Sequence, residues 1–230
     1  MEIIPNVHLI PDIIANPYLI IDPDGLTLID TGLPGSDKKI LNYIAGMGRS
    51  PADLKRIIIT HSDMDHIGGL YTLKKVTGAR TYASDIEAKA IASGKPSRPI
   101  KPGLTLRRVL MSILSLWMKP HPMQVDEILK DGQVLPLLGG LQVVETAGHT
   151  PGHISLYASK SAVLFPGDSM VSDDKGLHGS RPAVTWDMTK ADESVRKQTA
   201  LGARIVCPGH GPVVTDAQDK FPKVLAKAEK

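Results

Sequence analysis

Thr60-His61-Ser62-Asp63-Met64-Asp65-His66-Ile67-Gly68-Gly69 is the stretch that decides how the rest of this 230-residue chain is interpreted. It holds two histidines and two aspartates directly after residues 56–59, which the apolar pattern predicts to be a buried β-strand. A strand that ends in a tight turn directs its side chains toward one rim of a sheet, so these four groups can converge on one or two cations. The alternative is that the aspartates cap a helix starting near Ile67, which explains one residue of the four.

Three later segments repeat this arrangement of polar side chains after an apolar strand. They are Gly148-His149-Thr150-Pro151-Gly152-His153, Phe165-Pro166-Gly167-Asp168 and Cys207-Pro208-Gly209-His210. Each follows a run rich in β-branched residues and places His or Asp where the predicted strand ends. We therefore expect side chains that are distant along the chain to meet at one edge of the fold.

The order of these residues resembles the signature of the metallo-β-lactamase superfamily, His-x-His-x-Asp-His followed by a single His, a bridging Asp and a final His. The resemblance covers nearly the whole chain, starting from Leu28-Ile29-Asp30-Thr31-Gly32. It implies an α/β fold, an αββα sandwich with the metals at one edge between the sheets. We expect a single domain over residues 1–230, with a helical insert at about 85–120.

The resemblance implies metal-ligand roles for seven residues. The first metal would be held by His61, Asp63 and His149, the second by Asp65, His66 and His210, and Asp168 would bridge the two ions. Asp65 would also be the catalytic residue that orients the nucleophile. Asp30 and His153 lie in the family's motifs without being ligands, and they would orient the ligand loops by hydrogen bonding.

Asp63 departs from the common pattern, which has a histidine at this position. A carboxylate adds one negative charge and a harder oxygen donor, which moves metal preference from zinc toward iron or manganese. We therefore expect two divalent metal ions, which are zinc, iron or manganese, with mixed occupancy as one option. The alternative is that Asp63 turns outward and one metal site is lost.

The expected reaction is hydrolysis by a hydroxide that bridges the two metals. Candidate bonds are esters, lactones and thioesters, with phosphoesters as a further class. The short spacing between motifs is similar to that of the lactonase and glyoxalase II branches, although Val171 stands where some lactonases carry a tyrosine. Two alternatives stay open. One is a diiron oxidoreductase related to the flavodiiron proteins, which carry an acidic residue at the position of Asp63, and the other is a non-catalytic metal-binding member of the fold.

Leu104 to Met118 is nearly continuous in apolar character and too short to span a bilayer. A helix that is apolar around most of its circumference needs more than one buried neighbour. We expect it to pack in the core, to cover a partly apolar substrate pocket through Trp117, or to form a homodimer interface. His178 and Arg181, in a Gly-rich stretch, are further candidates for substrate binding, with a solvated loop as the alternative.

Composition limits the partners and the compartment. The net charge is +3 and the basic residues are scattered, so we expect a small-molecule substrate rather than a nucleic acid. Cys207 is the only cysteine, so no intramolecular disulfide can form, and its apolar neighbours predict a buried thiol. The amino terminus shows no secretory signal, and the expected location is the cytoplasm.

Overall fold

The computed structural model describes residues 1–99 and 121–228. The apolar segment from Leu104 to Met118, including Trp117, lies outside the described residues, and so does the part of the predicted insert beyond residue 99. The expectations of a pocket cover and of a homodimer interface that depend on this segment therefore stay predictions.

The first sheet contains seven strands in chain order, β1 to β7. Their bounds are Glu2–Ile4, Val7–Leu9, Tyr18–Asp22, Gly25–Ile29, Leu54–Ile58, Arg80–Ser84 and Glu127–Leu129. The first four strands are antiparallel neighbours, and β4 to β7 run parallel. Gly25 closes the hairpin between β3 and β4 with a φ of 141°, a conformation that glycine adopts without strain.

The second sheet contains five strands in the order β14-β11-β10-β9-β8. Along the chain, β8 to β11 span Val134–Leu135, Leu141–Glu145, Ile154–Ala158 and Val163–Gly167, and β14 spans Ile205–Pro208. β11 and β14 are parallel, while the other neighbours are antiparallel. The remaining strands, β12 (Met170–Asp173) and β13 (Gly176–Gly179), form a separate hairpin.

The described residues contain six α-helices. They are α1 (Ser36–Gly46), α2 (Met64–Ile67), α3 (Leu70–Thr77), α4 (Asp85–Ser93), α5 (Met188–Thr199) and α6 (Ala217–Ala228). Within the described ranges, no helix has the length and apolar character needed to cross a membrane.

Three apolar layers hold these elements together. Between the sheets, residues such as Ile20 and Ile58 pack with Leu156 and Phe165. Outside the first sheet, a second layer joins its strands to α1, α3 and α4, and outside the second sheet a third layer joins its strands to α5 and α6. Because each sheet buries one face on the other sheet and its opposite face on helices, the architecture is the αββα sandwich that the sequence predicted.

The sequence predicts Ser36 and Ser84 as N-caps of two helices. Ser36 is instead the first residue of α1, because Gly35 takes the N-cap position with a φ of 90°. Ser84 does cap α4, and its Oγ accepts from the backbone N–H of Glu87. The edge strands β1, β7 and β8 and the hairpin β12–β13 were not predicted, because strands of two to four residues are too short to show a clear alternation.

Candidate metal centre

The segments that the sequence singled out converge at one edge between the two sheets. His61 follows β5, His149 follows β9, Asp168 follows β11 and His210 follows β14, while Asp65 and His66 lie in the short helix α2. The topology therefore brings these distant segments together, as the sequence predicted. Gly209 makes the approach possible, since a Cβ at this position would lie 2.5 Å from Asp168 Oδ1.

His61, Asp63 and His149 form the first group of potential ligands, with ligand atoms within 4.8 Å of one another. Asp63 Oδ2 lies 3.1 Å from His149 Nε2 and 3.7 Å from His61 Nε2. Asp63 occupies the N-cap position of α2, but its side chain makes no capping hydrogen bond. The carboxylate therefore faces the two imidazoles, in contrast to the capping and outward-turned alternatives.

Asp65, His66 and His210 form the second group, again within 4.8 Å. His210 Nε2 lies 3.2 Å from Asp65 Oδ2. Asp168 stands between the groups, since its Oδ2 is 3.7 Å from His149 Nε2 and 3.4 Å from His210 Nε2. The structure thus brings all seven candidate ligands together, with Asp168 in the middle.

Three buried atoms of this cluster have no hydrogen-bond partner among the described residues. They are His61 Nε2, His66 Nε2 and Asp168 Oδ1, of which the last two lie 3.3 Å apart without hydrogen-bond geometry, and the same three residues form a further group that could hold a metal ion. A buried polar atom without a partner costs about 1–3 kcal/mol. Imidazole nitrogens and carboxylate oxygens are also the donors that divalent transition ions accept. The residues present therefore fit a metal centre.

Asp30 orients two of the imidazoles at once. Its Oδ2 accepts from His66 Nδ1 at 2.9 Å and from the hydroxyl of Thr60 at 2.7 Å. Because Thr60 Oγ1 donates to Asp30, it accepts from His61 Nδ1, which lies 3.0 Å away. In the neutral form of each ring, this arrangement places the proton on Nδ1 and leaves a lone pair on Nε2, directed into the cluster. Burial also lowers the pKa of His61 well below its usual range, which favours the neutral ring.

His153 acts on the cluster through the backbone of Asp168. Its Nε2 accepts from the Asp168 N–H at 3.1 Å, and its Nδ1 lies 2.8 Å from Thr146 Oγ1. His149 is oriented in a similar way, with Nδ1 3.1 Å from Ser180 Oγ. These contacts are consistent with the orienting role that the sequence suggested for His153.

The carboxylates dominate the electrostatics of the second group. Burial lowers the pKa of His66, but the charges of Asp168 and Asp30 outweigh it and raise this pKa well above its usual value. Burial also acts on His210, and hydrogen bonds to Asp168 and Asp65 raise its pKa to about 9. The carboxylates of this group therefore favour positive charge beside them, as a cation site must.

A cavity of about 240 Å³ opens onto the cluster. Its lining includes five of the candidate ligands together with Arg98, Val171, Ser180, Arg181 and Val184. Arg181 thus lines the cavity, as one substrate-binding hypothesis required. His178 lies instead on β13, where its Nε2 is 2.7 Å from Asp173 Oδ1, and it is not part of the lining.

Comparison with known proteins assigns the family. Residues 10–210 match the Metallo-beta-lactamase superfamily. The chain belongs to this superfamily.

Relatives in the metallo-β-lactamase superfamily include a probable metallo-hydrolase, YflN, of Bacillus subtilis (strain 168). It is 29% identical over 91% of this chain and 85% of its own length. The hydroxyacylglutathione hydrolase GloC of Haemophilus influenzae is 26% identical over 86% of each chain. A metallo-beta-lactamase family protein from Thermus thermophilus shares the fold, with a TM-score of 0.78, 23% identity, and coverage of 99% of this chain and 81% of its own. Membership of the superfamily and these relatives indicate a metal-dependent hydrolase.

Glu87 is a buried residue that the sequence analysis of this metallo-β-lactamase superfamily chain did not single out. One oxygen, Oε2, accepts from Ser62 N at 2.9 Å and from Ser62 Oγ at 2.5 Å. The other, Oε1, accepts from Thr150 Oγ1 at 2.7 Å and from Gly152 N at 3.0 Å. One carboxylate thus joins the loop of His61 to the loop of His149. Ser84 as a helix cap predicted the helix, but nothing local predicts that its Glu87 crosses to two loops.

Arg98 is the second residue that was missed. It follows α4 and forms an ion pair with Asp63, the residue that departs from the family's pattern. Its Nη1 also donates to the backbone oxygen of His149 at 3.0 Å. Arg98 is 35 residues from Asp63 in sequence, so no short motif could reveal the pair.

Proposed function

We propose that the protein is a dinuclear metal hydrolase that opens carboxylic ester, lactone or thioester bonds. The observation that carries this proposal is the cluster of seven His and Asp side chains at one cavity, three of which have a buried atom without a partner in the described part of the chain. Cys207 is the only cysteine of the sequence. Its thiol is buried in the core between the sheets and does not line the cavity, so we assign it no role as a nucleophile.

The residues divide into two ligand sets. We assign His61, Asp63 and His149 to the first ion, Asp65, His66 and His210 to the second, and Asp168 to both. When bound, two divalent cations of this kind acidify a water molecule and polarise the oxygen of the bond to be cleaved. The metals are zinc, iron or manganese, and the carboxylate of Asp63 favours the harder ions.

Asp65 is the residue we assign to proton transfer. Burial raises its pKa, but the hydrogen bond to His210 and the charge of His66 outweigh this and lower the pKa below its usual value. Its carboxylate is therefore ionised at neutral pH. Because Asp65 also lines the cavity, it can accept a proton from the attacking water and deliver it to the leaving oxygen or sulfur.

The cavity lining favours a substrate with an apolar part and a negative charge. Val171 and Val184 supply apolar surface, and the guanidinium of Arg181 makes no ion pair with any residue of the two described ranges. A permanently charged group that lines a cavity, with no ion pair to the described residues, suits a carboxylate. A thioester substrate is further supported by the relative named hydroxyacylglutathione hydrolase.

The test joins metal analysis with a substrate panel. Protein purified without added metal is analysed for zinc, iron and manganese and then assayed, without reductant, on lactones, thioesters, carboxylic esters and phosphodiesters. We expect two metal equivalents and hydrolysis of at least one carboxylic substrate class. Asp168→Ala should lose metal and activity, whereas Asp173→Ala, which removes an exposed carboxylate from the hairpin β12–β13, should match the parent protein.

The other outcomes separate the alternatives. Two irons without hydrolysis, and dioxygen reduction once a reductant is supplied in a separate assay, would replace the proposal with the diiron oxidoreductase. Two metals without activity on any class would favour a non-catalytic metal-binding protein. Asp168→Ala with full metal content would contradict the assignment of Asp168 as the bridging ligand.

A further inference from the structure

Arg98 and Asp63 form a connected unit beside the first ligand group. The guanidinium pairs with Asp63 Oδ2 through Nη2 and binds the backbone oxygen of His149 through Nη1. Both side chains are largely withdrawn from solvent, with 17% of Arg98 and 21% of Asp63 exposed. A single guanidinium therefore joins two ligand-bearing loops, which lie 86 residues apart in sequence.

The same carboxylate oxygen faces both the guanidinium and the ligand group. Asp63 Oδ2, which pairs with Arg98, is also the atom 3.1 Å from His149 Nε2 and 3.7 Å from His61 Nε2. Asp63 has no capping hydrogen bond to α2 that would fix its rotamer. In the described ranges, the side chain of Asp63 thus contacts one residue outside the ligand set. That residue is Arg98, which holds the carboxylate toward the cluster.

The charges explain why such a partner is needed. An imidazole at this position would be neutral and would reach a metal with its own ring, whereas aspartate is shorter and adds one negative charge to a group that already contains Asp168. A guanidinium stays protonated at every accessible pH, and its planar fork can satisfy two acceptors at once. Arg98 therefore supplies both the missing anchor and the compensating charge.

We propose that Arg98 is a positioning residue for metal binding, which orients Asp63 and cancels its charge so that the Arg98–Asp63 pair replaces the imidazole of the usual signature. The inference rests on the proposed metal centre. It predicts that the effect of Arg98 on metal affinity depends on which residue occupies position 63.

The test is a double-mutant cycle on metal affinity, measured by competition with a chelator for zinc and for manganese. In the parent protein, Arg98→Ala should weaken the first site about 10- to 100-fold, the range for residues that orient metal ligands. In the Asp63→His background, Arg98→Ala should instead raise the affinity, because the uncompensated guanidinium would then repel a nearby cation.

Two variants control for charge and for folding. Arg181→Ala removes the same charge from the same cavity lining and should change metal affinity less than threefold. Arg98→Lys keeps the charge but not the fork, and its affinity should lie between those of the parent and Arg98→Ala. The second site serves as an internal check, because a misfolded variant would lose both metals, whereas the proposal requires loss at the first site.

Results that contradict the role of Arg98 can be distinguished from results that contradict the proposed function. If Arg98→Ala leaves metal affinity unchanged and raises only the KM of an anionic substrate, Arg98 is a substrate-binding residue and the proposal is wrong. If its effect is the same in the Asp63 and Asp63→His backgrounds, it does not act through Asp63. A parent protein that binds two metals but hydrolyses nothing would refute the proposed function, while the cycle would still test Arg98.

Discussion

At the scale of single residues, buried charges here serve to hold loops in place. Glu87 has no solvent exposure and accepts four hydrogen bonds, from two loops that each carry a candidate ligand. Full satisfaction of both oxygens is what makes an ionised carboxylate tolerable inside a protein. The position of the ligands thus depends on a residue that contacts no ligand side chain.

Glu87→Gln should therefore destabilise the protein by about 1–3 kcal/mol. The amide keeps one acceptor but directs two N–H groups at donors from Ser62 or from Thr150 and Gly152. Urea denaturation followed by circular dichroism measures the change, with Glu193→Gln on the exposed side of α5 as the matched control. Equal free energies of unfolding for the two variants would show that the four contacts contribute little.

Arg181 tests the nature of the substrate. Hydrogen bonds to charged groups contribute about 1.5–3 kcal/mol, so Arg181→Ala should lower kcat/KM for a carboxylate-bearing thioester or ester roughly 10- to 100-fold. The loss should appear mainly in KM, because a contact to a group that does not react contributes equally to substrate binding and to the transition state. An uncharged ester of similar size is the control substrate, and an equal loss for both substrates would argue against recognition of a carboxylate.

At the scale of elements, the short helix α2 is fixed by close backbone contact and not by its own length. Four residues form too little helix to be stable alone. Thr31 N donates to the His66 oxygen at 2.8 Å, and Gly68 N donates to the Gly32 oxygen at 2.8 Å. The loop that follows β4 thus holds the helix that carries Asp65 and His66.

Gly68→Ala should break this contact. A Cβ at Gly68 would lie 2.2 Å from Pro34 N and 2.3 Å from Leu33 C, both backbone atoms that cannot move aside singly. We expect a loss of about 1–3 kcal/mol in the free energy of unfolding, together with lower metal content. Gly46→Ala in α1 is the control, because its Cβ meets nothing within 4 Å and should stabilise the helix by up to about 1 kcal/mol.

Thermal unfolding and metal analysis of both glycine variants test whether the close approach at Gly68 is needed for stability and for metal binding. If Gly68→Ala melts with the parent protein and keeps its metals, the loop between β4 and α1 has room to move, and the close approach is not required for the site.

At the scale of the whole molecule, the two sheets are joined by polar contacts as well as by the apolar core. Asn16 Nδ2 donates to the backbone oxygens of Pro208 and Gly211 at 3.0 and 2.7 Å. The hydroxyl of Tyr18 donates to the same Pro208 oxygen at 2.8 Å. The loop that carries His210 in the second half is therefore held by residues at the start of the chain.

Cys207 reports on the integrity of this interface. Its thiol is 1% exposed within the core between the sheets, and burial raises its pKa. We expect the thiol to react with a disulfide reagent only when the sheets separate, so that its labelling follows global unfolding. The check is labelling across a urea series beside circular dichroism. Rapid labelling of the native protein would show that the sheets open locally.

The sequence by itself determined the strand ends that carry the candidate ligands, from His61 to His210, and the order of motifs whose resemblance to the superfamily implied the αββα architecture. Strand ends and helix faces are local patterns that the sequence shows directly. The four segments with His or Asp each follow an apolar strand, so they can meet only where those strands share an edge. It also identified Asp63 as the departure from the family's pattern. These features could be predicted because each depends on neighbours in the chain or on a fixed order of motifs.

Only the tertiary structure decided what surrounds those ligands. The orientation of Asp63, its pairing with Arg98, the four contacts of Glu87 and the hold of Asn16 on the His210 loop all join residues far apart in sequence. A side chain's charge and length are written in the sequence, but its partner depends on which backbone segments pack within about 3 Å of it. Folding alone brings those segments together, which is why the candidate ligands, and Asp30 and His153 within the family's motifs, could be predicted, whereas Arg98, Glu87 and Asn16 could not.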